Sequence, residues 1–341
     1  MQLGFMTHWP IGALAANAAL VVLLALLATE CLYRLTARRN FFGLDPSPDN
    51  LVGQLLVGTA RAWPLYFLIA YLFVSPEVAW PALITAVATV SFLPLVIGDM
   101  LFRRELASRP NIVLAAFFLL ACAMLLASGI GLDRRFTLLD AHFIFTTYLL
   151  CLWWGWQERT RMSGFGLPAE PSSGGLGVSR VVVGVILVVI YHAAAVGLIG
   201  ATTAVTGQLG WPTGIVLGLI VGGCWVPASV RMMGFSDDPG NALLGRSLAA
   251  IYLMSAAVLL TGMVQFVSGL RGYDLSILPH GFVDYPYTLW QMEVILLVLT
   301  AIFWLARTFI LQTLSRLEQV LLLGIYGTYL ALRMYRIATG G

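Results

Sequence analysis

The sequence contains no lysine: all 19 of its basic residues are Arg, and charged residues of either sign fill only 10% of its 341 positions. Soluble domains carry about 25% charged residues, so too few remain here to cover a solvated surface. Net charge is only +3, without a basic cluster, which excludes a nucleic-acid-binding face. Cysteine is scarce as well. Cys31, Cys122, Cys151 and Cys224 lie singly within apolar runs, without the loop positions of a disulfide framework or the close spacing of a metal site. No Ser/His/Asp, Cys/His or HExxH arrangement occurs, so neither an enzyme nor a resident cofactor or metal is expected. What is abundant is apolar: 60% of residues, with a mean hydropathy of +0.89. The chain reads as an all-α polytopic membrane protein.

A helix crossing a bilayer needs about 20 mostly apolar residues. Ten segments meet that length, near 11–33, 51–73, 79–99, 111–130, 137–156, 181–205, 212–232, 246–269, 287–307 and 317–335. The first has no basic region before it and is too long for a cleavable signal, so it is expected as a retained helix. Between the fifth and sixth spans lies a linker dominated by Gly, Pro and Ser at 161–180. It divides the chain into a five-helix half at 1–160 and another at 181–341.

Arginine placement gives direction. Thirteen arginines flank the linker side of the spans and five (Arg134, Arg135, Arg271, Arg333, Arg336) the other, with Arg61 inside the second span. By the positive-inside rule the linker is cytoplasmic and both termini lie outside a cell inner membrane. Five spans reverse the direction of whatever follows, so the two halves are inverted relative to each other. Inverted repeats with a pocket at their interface are a plan of secondary transporters. Faint internal similarity fits: Gly58 to Pro64 in span 2 and Gly222 to Pro227 in span 7 each place glycine and an aromatic just before an intramembrane Pro.

Several segments resemble the cation/calcium exchanger superfamily. The closing helix, Ser315 to Leu332, resembles that family's last helix, with an Arg-x-Glu start and Leu- and Tyr-containing turns. Pro94 to Leu106 resembles the exit from its first repeat, and Gly223 to Pro227 its Gly-Thr-Ser-x-Pro-Glu signature. Gly240-Asn241 and Gly245-Arg246-Ser247 resemble a stretched form of its Gly-Asn motif. The resemblance implies ten spans and an ion antiporter, and it places Pro64, Cys224, Pro227, Asn241 and Ser247 near the transport site. It also marks a departure. The acidic residue that follows each signature Pro in the family is a principal cation ligand, and here those positions are Leu65 and Ala228. Calcium takes six to eight oxygens, carboxylates among them, so the resemblance carries the fold further than the calcium chemistry.

The remaining intramembrane polar residues have two readings each. Arg61 sits mid-span, where charge is costly and usually paired. It is either a tethered surrogate ion or anion-binding group, or a structural Arg paired with Glu30, Glu293 or a helix-end carbonyl. His192 is a proton relay or a neutral interhelical hydrogen-bonder. Glu293 lines an outer vestibule or snorkels to headgroups, and Asp140 and His142 fall at the outer interface. Pro64 and Pro227 free backbone carbonyls, either facing an ion or as ordinary kinks. Gly218 and Gly222 form a small-xxx-small pair read as close helix packing. The run Gly240 to Ser247 imitates a phosphate loop, but such a loop follows a strand and this one follows a membrane span. The expected activity is transport of an ion across the bilayer. The alternative is an exchanger-fold subunit that does not transport and instead joins membrane-protein partners.

Overall fold

The computed structural model describes residues 20, 23, 76–102, 110–128, 135–136, 141–147, 149–150, 153, 178–235, 251–252, 256, 259, 285–286, 291–309 and 314–339. They form helices α1 (Pro76–Phe102), α2 (Pro110–Ser128), α3 (Val178–Leu209), α4 (Thr213–Phe235), α5 (Gln291–Phe309) and α6 (Arg316–Thr339). Short helical stretches also lie at 141–147 and 251–252. Apart from one ladder of two two-residue strands, β1 (Arg135–Phe136) and β2 (Tyr285–Pro286), the described chain is helical. The six helices coincide with the third, fourth, sixth, seventh, ninth and tenth expected spans, each shifted by a few residues at its ends.

Local chemistry sets several of those ends. Pro76 and Pro110 open α1 and α2, where a missing N–H removes no helical hydrogen bond. Helix α3 stops at Leu209 because Gly210 takes φ 67°, and the Trp211 N–H reaches back 2.9 Å to the Thr206 carbonyl. That is a Schellman closure, with Pro212 barring continuation. The Thr206 and Thr213 hydroxyls, 2.7 Å apart, then tie the turn to the start of α4. Helix α6 opens on a capping box: the Ser315 N–H donates to Glu318 at 2.6 Å, and the Glu318 N–H donates to the Ser315 hydroxyl at 3.3 Å. Replacing Ser315 by Ala is expected to destabilise the protein by about 1 kcal/mol, read as a lower unfolding midpoint of the purified protein.

Helix α1 is the centre. Its Val78–Gly98 stretch is 21 residues long and apolar enough to cross a bilayer, and its sides are closed by α4, α5 and α6. Small residues permit this: Ala79, Ala82, Ala86, Ala88, Thr85, Thr89 and Ser91 are all buried. The tightest contact is with α4. A Cβ built on Gly214 would lie 2.6 Å from the Val78 carbonyl oxygen, one on Gly218 2.6 Å from that of Ala82, and one on Gly222 2.8 Å from Thr89 Cβ. The Gly218–Gly222 pair is therefore a packing seam, and Gly214 extends it by one turn. Contacts advance together along both helices, so α1 and α4 run parallel. Both Pro81 and Pro94 lie within α1, and Pro227 lies within α4. All three positions are spanned by continuous helix.

The outer surfaces are those of a protein in lipid. On α6, Gln319, Tyr326, Tyr329 and Arg333 are buried while Leu317, Val320, Leu321 and Leu332 are exposed. On α5, Glu293 and Thr300 are buried while Ile295, Leu299, Ile302 and Phe309 are exposed, and on α3 Val182, Val183, Val185, Ile186 and Val189 are exposed. Water would favour the reverse arrangement; an apolar solvent favours this one. The ladder pairs Arg135 with Pro286 and Phe136 with Tyr285. It joins the 4–5 and 8–9 connections, which the arginine pattern assigns to one side.

Candidate functional site

The described residues contain two buried charges, Glu293 and Arg333, and they meet. Glu293 stands in the first turn of α5. The Arg333 Nε donates to its Oε1 at 2.7 Å, and Nη2 donates to Oε2, a two-point guanidinium–carboxylate contact. Two hydroxyls complete the set: Tyr329 donates to Oε1 at 3.0 Å and Thr85 to the same oxygen at 3.3 Å. Three helices thus converge on one carboxylate. Tyr329 and Arg333 lie one turn apart on one face of α6, so a single helix supplies the guanidinium and a hydroxyl together.

A shell of aromatic and hydroxyl groups continues inward. Tyr326, one turn earlier on α6, donates to the Thr89 hydroxyl at 3.2 Å. Its ring stacks on Phe92 at 6.1 Å and meets Tyr329 at 5.5 Å. Thr85 and Thr89 are also the α1 residues against which Gly218 and Gly222 close. The threonine ridge of α1 therefore touches the ion pair on one side and the glycine seam of α4 on the other. Apart from this cluster, buried Cys122 on α2 lies 3.7 Å from the Thr147 hydroxyl and 4.0 Å from that of Tyr252.

Two expectations change here. Glu293 is fully buried, so it neither lines an outer vestibule nor reaches headgroups; burial is tolerated because four donors satisfy it. Arg333, counted among outer flanking arginines, is also buried, and the arginine on Glu293 is Arg333. Arg61, Pro64, Leu65, Asn241, Ser247 and Glu30 lie outside the described residues, as does Asp140. His192 belongs to α3 and Cys224 to α4; the described surroundings do not extend to their side chains. Pro227 is exposed, as is Gly223 one turn before it. A helical Pro removes the N–H that would bond the carbonyl four residues earlier, so the freed Gly223 carbonyl belongs to this same exposed strip. His142 is exposed and set edge-on to Phe143. Arg333, Tyr329 and Thr85 escaped sequence reasoning. The available signal was the spacing of Gln319, Tyr326, Tyr329 and Arg333 on one face of an otherwise Leu-rich helix.

By sequence the chain matches no protein-family model and no curated protein. By structure it is similar to the sodium-calcium exchanger NCX_Mj soaked with sodium and strontium: TM-score 0.57, 14% identity, 94% of this chain and 99% of that one covered. The chain has the cation/calcium-exchanger fold. A second state of NCX_Mj, soaked with sodium and calcium, gives a TM-score of 0.56 at 15% identity over 93% and 98% of the two chains. The H+/Ca2+ exchanger CAX gives 0.50 at 14% identity over 99% and 92%. These neighbours are ion exchangers, and the likeness covers more than nine-tenths of each chain.

Proposed function

We propose that this exchanger-fold chain is a secondary transporter of a small ion other than calcium. It would act from a cell inner membrane, as ten helices in two inverted halves with both termini outside. The observation that carries the reading is end-to-end likeness to exchangers combined with the loss of acidic side chains where the signature would put them, at Leu65 and Ala228. Packing of α2 on α5 supports the two-half plan, since these are the fourth helices of the two proposed halves. Charge supports the substrate class. The buried carboxylate of Glu293 is already neutralised by Arg333, and a calcium ion asks for several oxygens with net negative charge among them. Arg61, His192, Pro64, Cys224, Pro227, Asn241 and Ser247 remain the proposed lining of the path, with Glu293 behind it.

Purified protein in sodium-loaded proteoliposomes tests this. Calcium uptake driven by the sodium gradient is expected to equal that of empty liposomes, while labelled sodium counterflow or a pH-gradient-driven flux exceeds it. Sodium-driven calcium uptake would overturn the substrate class. Folded protein that moves none of these ions would favour a scaffold subunit, the reading that Leu65 and Ala228 also accommodate.

A further inference from the structure

Both carboxylate oxygens of Glu293 on α5 accept from Arg333, and the hydroxyls of Tyr329 on α6 and Thr85 on α1 each lie within 3.3 Å of Glu293 Oε1, so oxygens from three helices gather at the point where the guanidinium binds. We propose that Glu293, Tyr329 and Thr85 form a binding seat for a monovalent cation, which the chain fills with its own Arg333 guanidinium as a tethered ligand. The charge of the seat selects its ligand. One carboxylate and two neutral hydroxyls balance a single positive charge, whereas a divalent ion would be left undercompensated. Each hydroxyl spends its proton on the carboxylate and keeps lone pairs for a cation.

The seat is built independently of its occupant. Thr85 is fixed by α4, since a Cβ on Gly218 would come within 2.7 Å of the Thr85 Cβ. Tyr329 is held by its contact with Tyr326, whose hydroxyl is anchored on Thr89. Glu293 is held in the first turn of α5, followed by the buried Val294 and Leu296. Removing the Arg333 side chain therefore leaves an anionic, oxygen-lined hollow rather than a collapsed site. In the wild-type protein a free cation has to displace Arg333, so the seat is self-occupied and unresponsive to dilute salt. This inference concerns binding, so an absence of flux under the proposed function leaves it standing.

The test uses the full chain in detergent, following thermal unfolding of wild type, Arg333→Ala and the double variant Glu293→Gln/Arg333→Ala. Each is titrated with guanidinium chloride and with sodium chloride at low millimolar concentration, and ionic strength is matched with tetramethylammonium chloride. Guanidinium is expected to raise the midpoint of Arg333→Ala saturably by several degrees, and to leave the wild type and the double variant unmoved. A response in Arg333→Ala no larger than in wild type would overturn the proposal. So would an equal response in the double variant, because the carboxylate would then not be the binding group. If Arg333→Ala does not fold, Arg333→Gln, whose amide can donate to the carboxylate, is titrated with the same criteria.

Discussion

Replacing Arg333 by Met lowers the stability of the folded protein by about 3–5 kcal/mol, the usual consequence of leaving one partner of a buried ion pair without the other. Glu293 is fully buried and its bidentate partner is gone, so the Tyr329 and Thr85 hydroxyls are left to carry a full negative charge. Replacing Glu293 by Gln strands Arg333 in the same way, with a loss of similar size. The informative variant is the double one. With Glu293→Met and Arg333→Met together, no buried charge remains among the described residues, and replacement of a buried pair by apolar side chains is often close to neutral. The double variant is therefore expected to be more stable than either single variant. Denaturant unfolding of the four proteins in detergent reads this directly. Additive losses in the cycle would show that the two residues act separately, against the contact between them.

The helical class of the described residues, the approximate extents of their helices and the close packing at Gly218 and Gly222 were legible in the sequence because each depends on local pattern. Apolar length set the spans, and Gly210 and Pro212 set the break between α3 and α4. Glycines four residues apart marked a close helix contact. The ion pair was not legible, for a physical reason: its partners are 40 residues apart on consecutive helices, joined only by the way α5 and α6 fold back on each other. An arginine near the end of a span satisfies the positive-inside rule whether it points to headgroups or to a carboxylate. The distinction lay in helical phase, since Arg333 falls on the face of Gln319, Tyr326 and Tyr329, opposite Leu317 and Leu321. Thr85 gave no signal, because a threonine in a membrane helix usually satisfies itself on its own backbone, as Thr300 does on Leu296. Proline was also a poorer guide than it looked. Pro81 and Pro94 occur in the most deeply buried of the described helices without ending it, so the paired placement of Pro64 and Pro227 does not by itself mark broken helices.

The glycine seam yields the other large effect. Valine at position 218 would bring Cβ to 2.6 Å from the Ala82 carbonyl oxygen and 2.7 Å from Thr85 Cβ. Two of its obstacles are α1 backbone, so rotamer changes cannot relieve them and the helices must separate. Overpacking of this kind costs about 1–3 kcal/mol, and separation would also draw Thr85 from Glu293, adding to the loss. Even Gly218→Ala meets the same atoms, because the clash begins at Cβ. Position 222 behaves likewise against Thr89 and Ala86. Gly324 and Gly327 on α6 supply the control: a Cβ there meets nothing within 4 Å. Alanine at either should leave the contacts intact and stabilise the protein by about 0.5–1 kcal/mol through the better helix propensity of Ala. Four single Gly→Ala variants, compared by unfolding midpoint in one detergent, separate the two cases. Those at 218 and 222 should fall, while those at 324 and 327 hold or rise. Uniform behaviour would mean that α4 does not ride on α1 as closely as its glycines allow. A fall at 218 and 222 alone shows that α4 is held against the Ala82, Thr85, Ala86 and Thr89 positions of α1, the same helix whose Thr85 reaches Glu293.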